Sequence, residues 1–372
     1  MSWTVLGDIL GATILFAVPL LLVAVGGMYS ERSGIINLAL EGIMIIGALA
    51  GTLMINALST FNENRQNVGT LLMNVGKAMT PEEMEKFSAI GFNRDYLAGA
   101  AANMQRPMSP QAVVLIALAC AAAAGVIFSL LLAFASINLK ADQTIGGTAL
   151  NLLAPALSIV ITWAVQGQGK SNIIIPPWIR LNAAAFGIQQ QQNLVQNLVF
   201  KNLFITTPIA IILFAAAVIL LYKTRFGLRM RSCGEHPQAA DSVGINVYKM
   251  RYAGVMISGF LAGVGGLAFA FAAGGAFSST VAGYGFLALA VMIFGNWKPF
   301  NILGASLFFA LFMVFGSYAG SLSFIPKIPL NGVDTYFWPA LPYIVTMVLL
   351  ILTSKKSRAP KAEGIPYDKS TR

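Results

Sequence analysis

Few residues in this sequence have the chemistry to act on another molecule, and they fall into three groups. The first is Asn37 with Glu41, one turn apart on a helix; Glu41 is the only carboxylate well inside an apolar run. A carboxylate so placed binds a hydroxyl or amino group of a passing solute, or else pairs with Arg32 or another helix end near the membrane border. The second is Thr144, Thr148, Asn151, Ser158 and Thr162, with Pro155 among them. Spacings of three and four put these on one helix face, and Pro155 frees a backbone carbonyl one turn earlier. Such a face lines a wet path or serves as polar glue between helices. The third is the segment Gly227 to Asn246. Pro237 suits the first turn of a short helix, Gln238 to Val243 can form it, and Gly244 can end it. A short helix across a channel mouth is something a motor protein can push on; the plain alternative is an ordinary basic loop.

Other chemistry is excluded by inventory. His236 is the only histidine, so neither a His-based metal cluster nor a Ser-His-Asp triad can be assembled within the chain. Cys120 lies in an apolar run and Cys233 in the basic loop, which does not support a disulfide framework. Gly167-Gln-Gly-Lys-Ser171 resembles the end of a phosphate-binding loop, but Ala164 stands where that motif needs a glycine, and an apolar span precedes it instead of a strand. No cofactor and no resident metal are expected.

The elements that must position these groups are membrane helices. Of 372 residues, 57% are hydrophobic and 10% charged, where an ordinary soluble domain has about 25% charged. Stretches of about 20 apolar residues fall at roughly 6–27, 34–56, 111–136, 144–165, 203–222, 250–273, 281–295, 301–320 and 336–353. This predicts one all-α domain over 1–372, a polytopic bundle of about nine spans (8 to 10). The first apolar stretch, with no basic residue before Arg32, is read as a retained helix and not a cleaved leader. The seventh span is short, so it is either tilted or a half-helix covered by protein or a water cavity.

The net charge of +10 is a topology signal and does not point to nucleic acid. Six basic residues lie between Lys223 and Arg251 and six more follow Ser354, whereas Ser59 to Pro110 balances five basic residues with five acidic ones. Basic loops stay in the cytoplasm, which places the loop 227–246 and the tail 354–372 inside and leaves an even four spans between them. Ser30 to Ser33 and Asn138 to Ala141 then also lie inside, and the polar inserts 57–110 and 166–204 lie outside, as a lid or as a contact for a partner. The first insert carries a cap-like Thr80-Pro81-Glu82-Glu83 that predicts a short helix. In the sixth span small residues recur at Gly254, Ser258, Ala262, Gly266, Ala270 and Gly274, with Gly259 and Gly263 beside them. That spacing predicts a crowded central helix, packed tightly or able to slide.

Three stretches resemble a known family: Ser30 to Met44, Gly234 to Ala240 with Val243 to Val247, and Gly285 to Pro299. They are similar to the permease subunits of ABC importers for nucleosides, simple sugars and branched-chain amino acids, and the first is closest to the shorter permease of purine-nucleoside importers. The resemblance covers roughly residues 15 to 350. It implies a multi-pass subunit of the cytoplasmic (inner) membrane, surrounded by lipid, that imports a small polar solute, nucleoside first and a monosaccharide or amino acid next. It also implies that the chain is non-catalytic: ATP is hydrolysed by a partner ATPase, docked through Gly234, Glu235, His236, Pro237, Ala239, Ala240 and Gly244, with His236 where Asn is common. The other implied partners are a second, different permease chain and an external solute-binding lipoprotein. Asn37, Glu41, Thr148, Asn151 and Ser158 are the candidate solute path. The insert 57–110 is longer than the family leads one to expect. Two rivals fit less well: an ion-coupled transporter should carry more intramembrane carboxylates, and a membrane enzyme should carry clustered Asp or His at one membrane face.

Overall fold

A computed structural model describes residues 3–78, 108–170, 172–180, 204–318, 340, 344–345, 347–348, 351 and 358–369. Its helices are α1 (Trp3–Arg32), α2 (Leu40–Ala78), α3 (Pro110–Ala133), α4 (Gln143–Gln166), α5 (Thr206–Lys223), α6 (Arg225–Glu235), α7 (Pro237–Ser242), α8 (Val247–Ala273), α9 (Tyr284–Phe294) and α10 (Pro299–Tyr318). A π-helical turn, Phe134–Asn138, extends α3, and a two-stranded ladder joins β1 (Ile173–Ile174) to β2 (Ala276–Phe277).

Among the described residues, α1, α2, α3 with its π turn, α4, α5 and α8 are long and apolar enough to cross a membrane, and α9 and α10 are shorter apolar helices. The expected ninth span, 336–353, and the expected helix at Thr80 lie largely or wholly outside the described residues. Side chains set the helix starts. Ser109 accepts from the Ala112 amide at 3.3 Å, Asp142 from the Thr144 amide at 2.8 Å, and Asn246 from the Lys249 amide at 3.0 Å. Each satisfies an amide that the first helical turn leaves open.

Two span boundaries differ from the sequence reading. Helix α2 begins at Leu40, not at 34, because the Asn37 carboxamide accepts from the Ala39 amide at 3.1 Å and holds a turn there. At its other end α2 runs on to Ala78 without a break, so the polar residues after 57 extend the second span as helix. At about 1.5 Å per residue its 39 residues reach ~58 Å, nearly twice a bilayer's hydrocarbon core.

Helix α8 is the centre of the bundle and packs on α1, α2 and α3. Its small residues mark the crossing. A Cβ on Gly47 of α2 would fall on the backbone of Gly263, and one on Gly263 would fall on the Ala121 carbonyl of α3. Three backbones meet there with no side chain between them, which is the tight-packing alternative of the sequence reading. Burial falls off outward: in the most apolar stretch, 78% of the residues of α1 and of α8 are buried but only 22% in α4 and 28% in α5. Ile145, Leu152, Val160, Ile211, Ile212 and Ile219 point away from the core of this chain.

The basic segments collect at one end. There Ala362 donates its amide to the Gly234 carbonyl (2.9 Å), and Arg251 donates to the Ile365 carbonyl (3.0 Å). Lys140 pairs with Asp368 at 2.5 Å, and the Arg358 amide donates to Asn296 at 2.9 Å. Residues 358–369 thus form a strap across the ends of α1, α6, α8 and the α9–α10 turn. At the far end β1 pairs with β2, Ile173 opposite Phe277.

Candidate functional site

The segment that the sequence singles out as a motor contact folds as α6 and α7, meeting at a corner on His236. Pro237 takes the first position of α7, where its missing amide costs nothing. Gly244 ends it at φ +83°, its amide on the Asp241 carbonyl (2.9 Å) and the Ile245 amide on the Ala240 carbonyl (3.0 Å). The left-handed conformation suits glycine and strains any other residue.

One face of this corner is anchored. Gly234 lies directly on the Arg32 carbonyl at the end of α1, and Pro237 and Ala240 are buried. The other face is open: His236, Gln238, Ala239 and Gly244 are exposed, Glu235 is half-buried, and Val243 is 75% exposed at the tip. Of the seven predicted coupling residues, Gly234, Pro237 and Ala240 are thus buried, His236, Ala239 and Gly244 are exposed, and Glu235 lies between.

Four of the five predicted path residues are tied by hydrogen bonds to a neighbouring part of the chain, none of them to another of the five. Asn37 is not helical, so it does not share a helix face with Glu41; its Nδ2 donates to Ser258 Oγ on α8 at 2.9 Å. Glu41 accepts from the amides of Gly283 (2.9 Å) and Gly285 (2.6 Å), capping the N-terminus of α9. A carboxylate facing the positive end of a helix is well placed electrostatically, and this is the helix-end alternative of the sequence reading; Arg32 instead donates to the Trp297 carbonyl at 3.0 Å. Asn151 bridges α4 to α2, accepting from the Gly42 amide at 2.8 Å and donating to the Leu38 carbonyl at 2.6 Å. Ser158 donates to Ser279 at 3.0 Å. Thr148 is exposed and bonds only its own helix, at the Thr144 carbonyl (2.7 Å).

The sequence reading missed the segment between α8 and α9. From Gly274 to Gly283 the chain is not helical, yet it runs beside α4, from the Ser158 level to the Glu41 cap on α9. Gly274, Gly275, Ser279, Ala282 and Gly283 all have positive φ. Phe277, Ser279 and Val281 are buried while Ser278, Thr280 and Ala282 are exposed. Non-helical backbone at this depth is tolerated only where protein covers it or where it lines a wet cavity. The Gly274-Gly275 pair ahead of the short seventh apolar run was the available signal.

The strap shapes the electrostatics of the basic end. Cys233, buried with Ala240, Val247 and Tyr367, has its thiol pushed up to about 11 by burial. Glu363 meets Glu31 carboxyl to carboxyl, beside the Trp297 indole that donates to Glu31 at 2.5 Å; burial raises Glu363 to about 7. Among the described residues no group of three or more His, Cys, Asp or Glu is placed to hold a metal ion.

Six helices long and apolar enough to cross a membrane, with an unwound, glycine-flanked segment between α8 and α9, define the class as a multi-pass membrane protein. The chain belongs to the family described as branched-chain amino acid transport system / permease component, whose pattern matches residues 9–354. It is 37% identical to the guanosine ABC transporter permease protein NupQ of Bacillus subtilis over 371 residues, covering 99% of this chain and 98% of that one. It is also 37% identical to the nucleoside ABC transporter permease protein NupC of Lactococcus lactis (96% and 95% covered). A putative glucose ABC transporter permease protein, TsgC13 of Haloferax volcanii, is 28% identical (92% and 90% covered). No solved structure matches the chain.

Proposed function

We propose that this chain is the membrane-spanning permease of an ATP-driven nucleoside importer in the cytoplasmic membrane. The observation that carries the solute is the likeness to the guanosine and nucleoside permeases along nearly the whole chain. The chain hydrolyses nothing itself. An ABC ATPase docks on the open face of the α6–α7 corner, through His236, Ala239, Gly244 and the exposed Val243 tip, while Gly234, Pro237 and Ala240 pass its movement to α1. The basic end is then cytoplasmic, and about nine spans cross the membrane. A second, different permease covers the outer face of α4 and α5, and an external binding lipoprotein delivers solute to the end carrying β1 and β2.

The solute path runs along Thr148 and the unwound segment Ser278 to Gly283. Its hydroxyls and open backbone suit an uncharged, hydroxyl-rich molecule, since no fixed charge has to be displaced. Asn37, Glu41, Asn151 and Ser158 belong to the same path as its hinge: their hydrogen bonds hold α2, α4, α8 and α9 in one arrangement and exchange partners as access alternates. Uptake of radiolabelled guanosine by proteoliposomes holding the complete complex should require ATP inside, and unlabelled nucleosides should compete where glucose and leucine do not. Uptake without the ATPase subunit, or competition by glucose alone, overturns the reading.

A further inference from the structure

At the basic end a cleft of about 670 Å³ is lined by Arg32, Glu235, Asn296, Lys298, Arg358, Ala359 and Lys361. Four cations face it and one carboxylate. None of the four makes an ion pair among the described residues, and the Nε of Arg32 is buried without a hydrogen-bond partner. Converging, unneutralised cations repel unless an anion sits between them. Two are anchored: the Arg32 side chain by its bond to the Trp297 carbonyl, and the Arg358 backbone by its amide on Asn296.

The cleft's level in the bundle narrows the ligand. Arg32 is the last residue of the α1 span, and Lys298 precedes the apolar α10, whose Phe300 is 69% exposed. Cations thus sit where the apolar surface ends, next to the largely exposed Phe300, whose ring meets Phe214 edge-on, the arrangement that anionic headgroups and their acyl chains favour.

We propose that this cleft binds a phosphate group, that of an anionic phospholipid of the cytoplasmic leaflet or of a soluble phosphate. Arg32 ends α1, Lys298 precedes α10, and Arg358 and Lys361 lie in the strap, so the bound phosphate ties these three together, while the Glu235 carboxylate on the α6–α7 side is repelled by it and lipid charge acts there on the corner that the ATPase pushes. The site itself does not depend on the nucleoside assignment, and its test does not measure transport.

The full-length chain is purified into nanodiscs of phosphatidylcholine with or without phosphatidylglycerol, and retained lipid is read by native mass spectrometry after release. Wild type should keep phosphatidylglycerol. The double variant Lys298→Gln/Lys361→Gln, both exposed positions, should retain it about 30-fold less well, while Lys249→Gln, exposed and outside the cleft, should behave as wild type. In neutral-lipid nanodiscs, inorganic phosphate is titrated against the melting temperature. A phosphate-dependent rise lost in the double variant, with no preference for phosphatidylglycerol, keeps the phosphate site and assigns it to a soluble ligand. Equal retention in all three proteins with no phosphate effect overturns the proposal. So does a double variant that differs only in losing the ATPase on co-purification, which would give the cleft to an acidic side chain of that partner.

Discussion

The hydroxyl and amide groups around the start of α2 and the corner at His236 were both marked by the sequence as places for chemistry, and the structure treats them in opposite ways. Around α2 nearly every polar atom is spent inside the chain: Asn151 on Gly42 and Leu38, Glu41 on α9, Ser158 on Ser279. At the corner His236, Ala239 and Val243 are open. The difference follows from the solvent. A polar group at membrane depth with no partner costs several kcal/mol, so resting contacts form there, whereas at the aqueous end water fills unmade bonds and leaves a surface free for a partner. Substitutions of polar residues within the bundle are therefore expected to act first on stability, and, with the ATPase docked as proposed, those at the corner first on coupling.

The largest effect that tests this contrast is expected at Asn151. Asn151→Leu strands the Gly42 amide and the Leu38 carbonyl, at about 1–3 kcal/mol each. The purified protein should lose roughly 2–6 kcal/mol of resistance to unfolding, seen as a large drop in thermal melting. If Asn151→Leu melts as wild type while uptake disappears, the stripe is a transport surface and the contrast fails.

A smaller and opposite effect is expected at Ala239. Ala239→Trp places bulk on the open side of α7, so melting should stay within about 0.5 kcal/mol of wild type. ATP-driven uptake should fall about tenfold, equivalent to ~1.4 kcal/mol of coupling. Lowered melting with unchanged uptake per folded molecule would make the corner a structural element only. Gly244→Ala is milder still: a side chain at φ +83° costs about 1 kcal/mol locally. Its expected signature is faster amide exchange in Ala240 to Ile245, with exchange in α8 unchanged.

How much of this was legible in sequence depended on whether a feature was local. The short α7, with Pro237 in and Gly244 out, needs only neighbours along the chain, and the structure forms it where the residues say. The crowded sixth span was readable because small residues every fourth place can only mean close backbones. Asn37 was misread as helical because apolar periodicity runs straight through Ile35 to Ile43, and the competing bond to the Ala39 amide leaves no mark in that pattern. Helix α2 was ended too early because polar residues after Ser59 look like a loop when helix and membrane span are assumed to stop together. The partners of Glu41 lie 242 and 244 residues away, on α9, so no spacing rule could name them.

The strap offers the smallest effect and a sharper test, because it sets the open corner against its own buried underside. Impermeant thiol reagents should reach Cys233 slowly even from the basic side, since burial under Tyr367 shields the sulfur and raises its thiol to about 11. The pH dependence follows from Glu363, whose carboxyl stands at about 7 in the docked strap and near 4.5 when free. The docked state holds the proton more tightly, so docking is strongest below about pH 4.5 and weakens as pH rises through about 7. Around that carboxyl stand Glu31 and the Trp297 indole; burial is what raises Glu363, and its hydrogen bond with Glu31 works against that rise. Labelling of Cys233, corrected for the rise of free thiolate with pH, should quicken a few-fold from pH 6 to 8 in wild type. Glu363→Gln cannot ionise and should flatten the curve. A wild-type profile that matches Glu363→Gln at every pH would mean that the strap is held by Arg251, Lys140 and Tyr367 alone.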